Sequence, residues 1–155
     1  MIRSQKKLGE IFIDKGLITP EQLNAAIEEQ KKTKEFLGTV LARKNQLKEQ
    51  DLLVTLAEQF DIRVVSLKNR YIDWRFVKNF SASLILNHRC FPVSKDKFSV
   101  TIAITNPLDV WALKRSEEEA GGLKLEPVLV SEGDMDGVIR RYKQYMRSDS
   151  LKKFA

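Results

Sequence analysis

Residues 7–30 and 36–59 carry one 24-residue pattern twice, at an offset of 29 residues. Six positions are identical between the copies: Leu8/Leu37, Gly9/Gly38, Lys15/Lys44, Leu23/Leu52, Glu29/Glu58 and Gln30/Gln59. Unrelated segments of ordinary composition share roughly one or two. Four further pairs keep apolar character: Ile11/Val40, Phe12/Leu41, Ile18/Leu47 and Ile27/Leu56. A duplication of this period is one supersecondary unit stacked on its copy, each burying an apolar face that neither buries alone. The chain must therefore build a pair of equivalent units, and function is to be sought where the two present equivalent groups.

Each copy runs as an apolar-periodic segment, a residue suited to left-handed backbone, a turn, and a second periodic segment. That order reads as helix, stop, cap, helix. Gly16 and Asn45 occupy the same repeat position, and glycine and asparagine are the residues that best tolerate the αL conformation ending a helix. Thr19-Pro20-Glu21-Gln22 supplies an N-cap, a first-turn proline and early acid; Lys48-Glu49-Gln50-Asp51 does the same less well. The spacing predicts helices near 7–15, 20–32, 36–44 and 49–60.

After Phe60 the pattern changes to short β-rich runs between polar turns, which sets a subdomain boundary. Ile62–Leu67 alternates like an edge or half-buried strand, and Asp73–Phe80 and the following Ser81–Leu86 read as helical. Phe91–Ser94 and Phe98–Ile104 form a hairpin across Lys95-Asp96-Lys97. Asn106-Pro107-Leu108-Asp109 turns into a helix that ends before Gly121-Gly122, Leu125–Val130 is a further strand, and a last helix runs from its cap at Ser131 to Met146. The expected fold class is α+β: a duplicated helical subdomain over 1–60, a small α+β subdomain with three or four strands and flanking helices over 61–147, and a tail or linker over 148–155.

At 155 residues the chain is long enough for a real core. No apolar stretch approaches the ~18 residues that span a bilayer, and the first residues lead into no signal-peptide core, so the reading is a cytoplasmic protein with no transmembrane segment. Cys90 and His88 are each the only residue of their kind, which excludes an internal disulfide and a thiolate metal cluster. The net charge of +6 is concentrated in Arg140, Arg141, Lys143, Arg147, Lys152 and Lys153 against Asp149 alone. A basic terminal helix of this kind is read as a solvated face or tether, able to meet an acidic partner or anionic lipid. The alternative is a basic nucleic-acid-binding domain using that helix, against which stands the lack of interleaved aromatics.

Signatures of catalysis are missing. The chain has no Gly-x-x-x-x-Gly-Lys-Ser/Thr, no Gly-x-Ser-x-Gly and no Gly-x-Gly-x-x-Gly. Glu117-Glu118-Glu119 reads as a solvated helix face, and His88 as a helix-end residue rather than a base. The reading is that the chain is not an enzyme.

The doubled Leu-Gly pattern with Gly16-Leu17-Ile18, Leu23, Ile27 and Gln30, repeated through Gln59, resembles the N-terminal domain of type II secretion and type IV pilus assembly ATPases. The resemblance continues through Ala103-Ile104-Thr105-Asn106-Pro107-Leu108-Asp109 and the last helix to Tyr142. It implies a regulatory or adaptor domain that docks on the cytoplasmic part of an inner-membrane secretion or pilus component, requires no cofactor, and in some members binds cyclic di-GMP. The ligand-facing positions it implies are Lys7, Leu8, Gly9, Leu23, Ile27 and Gln30, then Leu37, Gly38, Leu52, Leu56 and Gln59, and later Asp109. Glycine permits close approach to a phosphate or base, leucines offer apolar faces, and a glutamine reads a base edge. The binding version of the motif opens with arginine, where this chain has Lys7 and Phe36. Lysine keeps the charge without the planar fork, and phenylalanine keeps only stacking.

Overall fold

The computed structural model describes residues 2–153, with side chains from 7 to 152. The chain divides into two compact units, Met1–Asp61 and Ile62–Ala155.

The first unit holds four helices: α1 Ile2–Asp14, α2 Pro20–Thr33, α3 Leu37–Arg43 and α4 Glu49–Phe60. α1 begins ahead of the doubled pattern. Thr19 caps α2 with a reciprocal pair: its Oγ1 accepts from the Gln22 N–H at 3.1 Å, and its own N–H donates to Gln22 Oε1 at 2.9 Å. Lys48, at the equivalent place before α4, makes no side-chain cap. Phe12, Leu37, Leu41 and Leu56 are wholly buried between the helices. At roughly 1.5–3 kcal/mol for each large apolar side chain removed from water, this packing outweighs the weak helix propensity of such short segments.

The second unit continues with α5 Trp74–Val77, α6 Ala82–Leu86, β1 Phe91–Lys95, β2 Ser99–Ile104, α7 Val110–Glu119, β3 Lys124–Leu129 and α8 Glu132–Lys153. The three strands form one mixed sheet in the order β1-β2-β3. β1 pairs antiparallel with β2, with an irregularity between Pro92 and Ser94. β2 pairs parallel with β3 from Ser99↔Lys124 to Ile104↔Leu129, and α7 makes the crossover that a parallel pair needs. In the hairpin turn the Asp96 carboxylate accepts from the Phe98 and Ser99 N–H groups at 2.7 and 2.8 Å, which holds it below the usual carboxylate range. Met135, Val138, Ile139 and Tyr142 of α8 are buried, a stripe at helical spacing that seats this helix on its unit.

Three sequence expectations need correction. Ile62–Leu67 is no strand: it makes a single parallel bridge, Val64↔Leu129, flanked by the bonds Val65 N–H to Leu129 O and Leu129 N–H to Arg63 O. Asp134 of α8 ends the pairing, because its Oδ2 accepts from the Leu67 N–H at 2.8 Å and Ser66 Oγ at 3.0 Å. The two segments that read as helical, 73–80 and 81–86, hold α5 and α6, and the second correction concerns Glu119 beside them. Ser81 starts the second by accepting from the Leu84 N–H, while its own N–H and hydroxyl donate to the Glu119 carboxylate at 2.5 and 3.0 Å. Glu119 is therefore no part of a solvated face. Finally, α8 runs past Met146 to Lys153, so residues 148–153 of the expected tail are helical; 154 and 155 lie outside the described residues.

Candidate functional site

In the doubled unit, each copy turns between its helices by the same geometry. Gly16 has φ 72° and Asn45 φ 59°. The Gly16 N–H donates to Ile13 O and the Leu17 N–H to Phe12 O, both at 2.9 Å; in the second copy Asn45 donates to Ala42 O at 3.0 Å and Gln46 to Leu41 O at 2.9 Å. These are two Schellman caps, equivalent bond for bond.

The paired glycines have a packing reason. A Cβ at Gly9 would overlap Leu23 Cδ1, and one at Gly38 would lie 2.6 Å from Leu52 Cδ1. Leu23 and Leu52 are themselves identical repeat positions, so each copy closes its two helices by seating a leucine on a bare backbone.

The copies are joined by ion pairs that cross between them. Lys15 reaches Glu58 at 2.6 Å and Lys44 reaches Glu29 at 3.7 Å. Lys15 corresponds to Lys44, and Glu29 to Glu58. Each copy thus gives its lysine to the other copy's glutamate, the reciprocity that a two-fold relation produces and a simple translation does not. Arg43, which has no basic counterpart in the first copy, adds a 2.8 Å bond to Glu35 and a 3.4 Å contact with Glu29; the Glu35 bond raises its pKa.

The positions implied by resemblance separate by exposure. Leu8, Gly9, Leu23, Leu37, Gly38, Leu52 and Leu56 are buried, and Gln30 is 9% exposed. Lys7 and Gln59 are exposed, and Ile27 and Phe36 half-buried. The two glutamines, identical in sequence, therefore stand in different surroundings. Asp109 belongs to the second unit, where Oδ1 accepts from the Ala112 N–H at 3.1 Å to cap α7 and Oδ2 lies 3.1 Å from His88 Nδ1. His88 also packs its ring on Trp111 at 4.5 Å between centroids. Sequence spacing showed neither this pair nor the crossed lysines.

On α8 the side chains of Arg140, Arg141, Lys143, Arg147 and Lys152 are exposed; that of Lys153 lies outside the described residues. Arg141 is also anchored. Its guanidinium lies 5.6 Å from the Trp74 ring centre and donates to Arg70 O at 3.1 Å, and Trp74 stacks on Tyr145. Aromatics do therefore accompany the basic helix. Among the described residues no cluster of three or more metal-ligating side chains occurs, and no helix is long and apolar enough to cross a membrane.

The described residues run as a duplicated helical unit followed by a small mixed-sheet unit. The chain belongs to the MshEN domain family, which matches residues 60–149. It is 27% identical over 136 residues to the type IV pilus assembly ATPase PilB of Myxococcus xanthus, and 30% identical over 124 residues to PilB of Thermus thermophilus. These alignments take in 88% and 79% of this chain but only 24% and 14% of the relatives' length. A structure of MshE with cdg matches with TM-score 0.72 at 25% identity, over 87% of this chain and 97% of that one. The N-terminal domain of XpsE matches with TM-score 0.70 at 19% identity, over 87% and 92%, a likeness of fold. Coverage of 87% exceeds what the second unit reaches alone, so the MshE likeness takes in part of the doubled unit.

Proposed function

We propose that this chain is a regulatory and docking domain of a type IV pilus or type II secretion ATPase, itself without catalytic activity, and that its doubled unit is a receptor for cyclic di-GMP. The observation that carries the reading is the crossed pair Lys15–Glu58 and Lys44–Glu29. A pseudo-two-fold unit offers equivalent groups to a ligand that is itself two equivalent halves, each with one guanine and one phosphate. The cdg of the MshE structure, cyclic di-GMP, supports the ligand class.

Within this reading the buried leucines and glycines of the motif set the backbone, and the exposed groups meet the ligand. Lys7 and Phe36 are equivalent positions, exposed and half-buried; one supplies a charge for phosphate and the other a ring for a base. Ile27 and Gln59 complete the accessible set, while Gln30 acts from a buried position. Asp109, the later acidic position, is already held by Ala112 and His88, so any ligand contact there competes with capping. The docking partner is the cytoplasmic part of an inner-membrane component of the machine, which would bring the chain to the membrane.

Calorimetric titration with cyclic di-GMP tests the receptor reading. One saturable event per chain is expected, weakened by roughly 1–3 kcal/mol in Gln59→Ala through the lost hydrogen bonds. Absence of heat at high micromolar ligand would remove the second messenger and leave docking alone.

A further inference from the structure

Gly133 lies in the first turn of α8 and Gly137 one turn further in, where glycine weakens a helix through its extra backbone freedom. Close packing explains Gly9 and Gly38, but not these. A Cβ at Gly133 would find only Ser131 Oγ at 3.9 Å, and one at Gly137 only Arg140 Nη2 at 3.9 Å. The missing side chains instead leave open a cavity of about 360 Å³ between α8 and the turn over 67–69, within the ~300–1,000 Å³ range of small-molecule sites.

The cavity rests on buried Leu67 and Val138 and is rimmed by Lys68, Asn69, Arg140 and Arg141. Its walls are tied together twice. Asp134 Oδ2 accepts from the Leu67 N–H and Ser66 Oγ, and Arg141 donates to Arg70 O; Asp134 and Arg141 are two turns apart on α8. Asp134 is the one carboxylate in the lining, and its Oδ2 is taken by those bonds. Lys68 and Arg140 have no ion-pair partner among the described residues. A second cavity of about 390 Å³ shares Arg141 and is walled by Tyr71, Trp74 and Tyr145, with Tyr71 83% exposed.

We propose that the cavity between Gly133/Gly137 and the 67–69 turn binds a phosphate group, with the neighbouring aromatic cavity taking the base of a nucleotide. Unpaired lysine and arginine over a bare stretch of helix give a multi-oxygen anion several charge-assisted donors at close approach. Arg141 joins the two cavities, and the uncovered Tyr71 ring offers the stacking surface that distinguishes a nucleotide from inorganic phosphate. A lipid headgroup presents the same phosphate chemistry without the base. Every residue of this site lies in the second unit, so the inference stands independently of cyclic di-GMP binding by the doubled unit.

Amide NMR of the whole chain at about 150 mM salt, where loose surface attraction is screened, tests it with adenosine monophosphate, inorganic phosphate and phosphatidylglycerol vesicles as probes. The expected result is a saturable shift of the Asn69, Gly133 and Gly137 amides with a soluble probe, about tenfold weaker in Arg140→Gln and lost in Gly137→Glu. Gly137→Glu fills the opening with an acid while improving helix propensity, so its melting temperature should equal or exceed that of the wild type. A response to vesicles alone, lost in the same variants, assigns the phosphate to a headgroup. No response to any probe, or one that both variants leave unchanged, overturns the site.

Discussion

Lys15 Nζ lies 2.6 Å from Glu58 Oε2, and the equivalent Lys44 lies 3.7 Å from Glu29. The two contacts account for two of the six identities between the copies as one relationship used twice. Both pairs are partly exposed, so each contributes on the order of 0.5 kcal/mol. A double-mutant cycle with Lys15→Met and Glu58→Gln should give a coupling of that size, and reversing the pair with Lys15→Glu and Glu58→Lys should recover most of it. Zero coupling would show that the contact does not join the copies in solution.

Gly9 and Gly38 should be intolerant of even a methyl group. Gly9→Ala pushes against Leu23 and Gly38→Ala against Leu52, and overpacking of this kind costs about 1–3 kcal/mol, read from urea unfolding. Shortening the leucine should relieve it: Gly9→Ala with Leu23→Ala is expected to lose less than the sum of the single changes. Strict additivity would mean that glycine and leucine do not meet.

The left-handed caps give opposite signs at equivalent positions. Gly16→Ala places a side chain at φ 72° and should destabilise by about 1 kcal/mol, whereas Asn45→Gly at φ 59° should be neutral or stabilise by up to about 1 kcal/mol. Thermal melts of the two variants check the pair. A clear loss in Asn45→Gly would assign the asparagine side chain a bond of its own.

These caps were legible in the sequence because αL backbone narrows the choice to two residue types at one repeat position. The hairpin and helix α7 were legible from alternation and from turn residues, whereas the parallel pairing of β2 with β3 was not. What was not legible depends on groups far along the chain. Leu67 leaves the sheet because Asp134, 67 residues away, takes its N–H, and Glu119, which reads as part of a solvated face, instead holds the N–H of Ser81, 38 residues away. The lysine and glutamate identities were visible, but spacing alone does not tell a two-fold stack from a translated one. Nor does it distinguish Gln30 from Gln59, which the helix packing buries and exposes respectively. The Gly133/Gly137 opening depends on the turn over 67–69, which helical spacing does not place.

Cys90 supplies a pH test. Burial is the main cause that pushes its thiol from 9.0 up to about 12, with Asp109 adding to the rise and Ser116 opposing it. A raised pKa in the folded state means that the stability it carries is full below pH 9.0 and is lost as pH rises toward about 12. The stability difference between wild type and Cys90→Ala, measured by urea unfolding, should therefore shift against the wild type by up to about 1.4 kcal/mol per pH unit above that point. A difference that stays flat would mean that the native thiol ionises as freely as the unfolded one.

The two-fold receptor reading is tested most directly by following the Gly9 and Gly38 amides during titration with cyclic di-GMP. Saturation at one ligand per chain with both amides shifting together is expected, because equivalent positions should meet equivalent halves. Lys7→Arg with Phe36→Arg should tighten binding by about tenfold, since guanidinium adds both bidentate contact and stacking. No shift at either glycine in the wild type would contradict it: a shift restored by the double arginine variant would mark a site decayed in this chain, and none in either would leave the doubled motif as architecture.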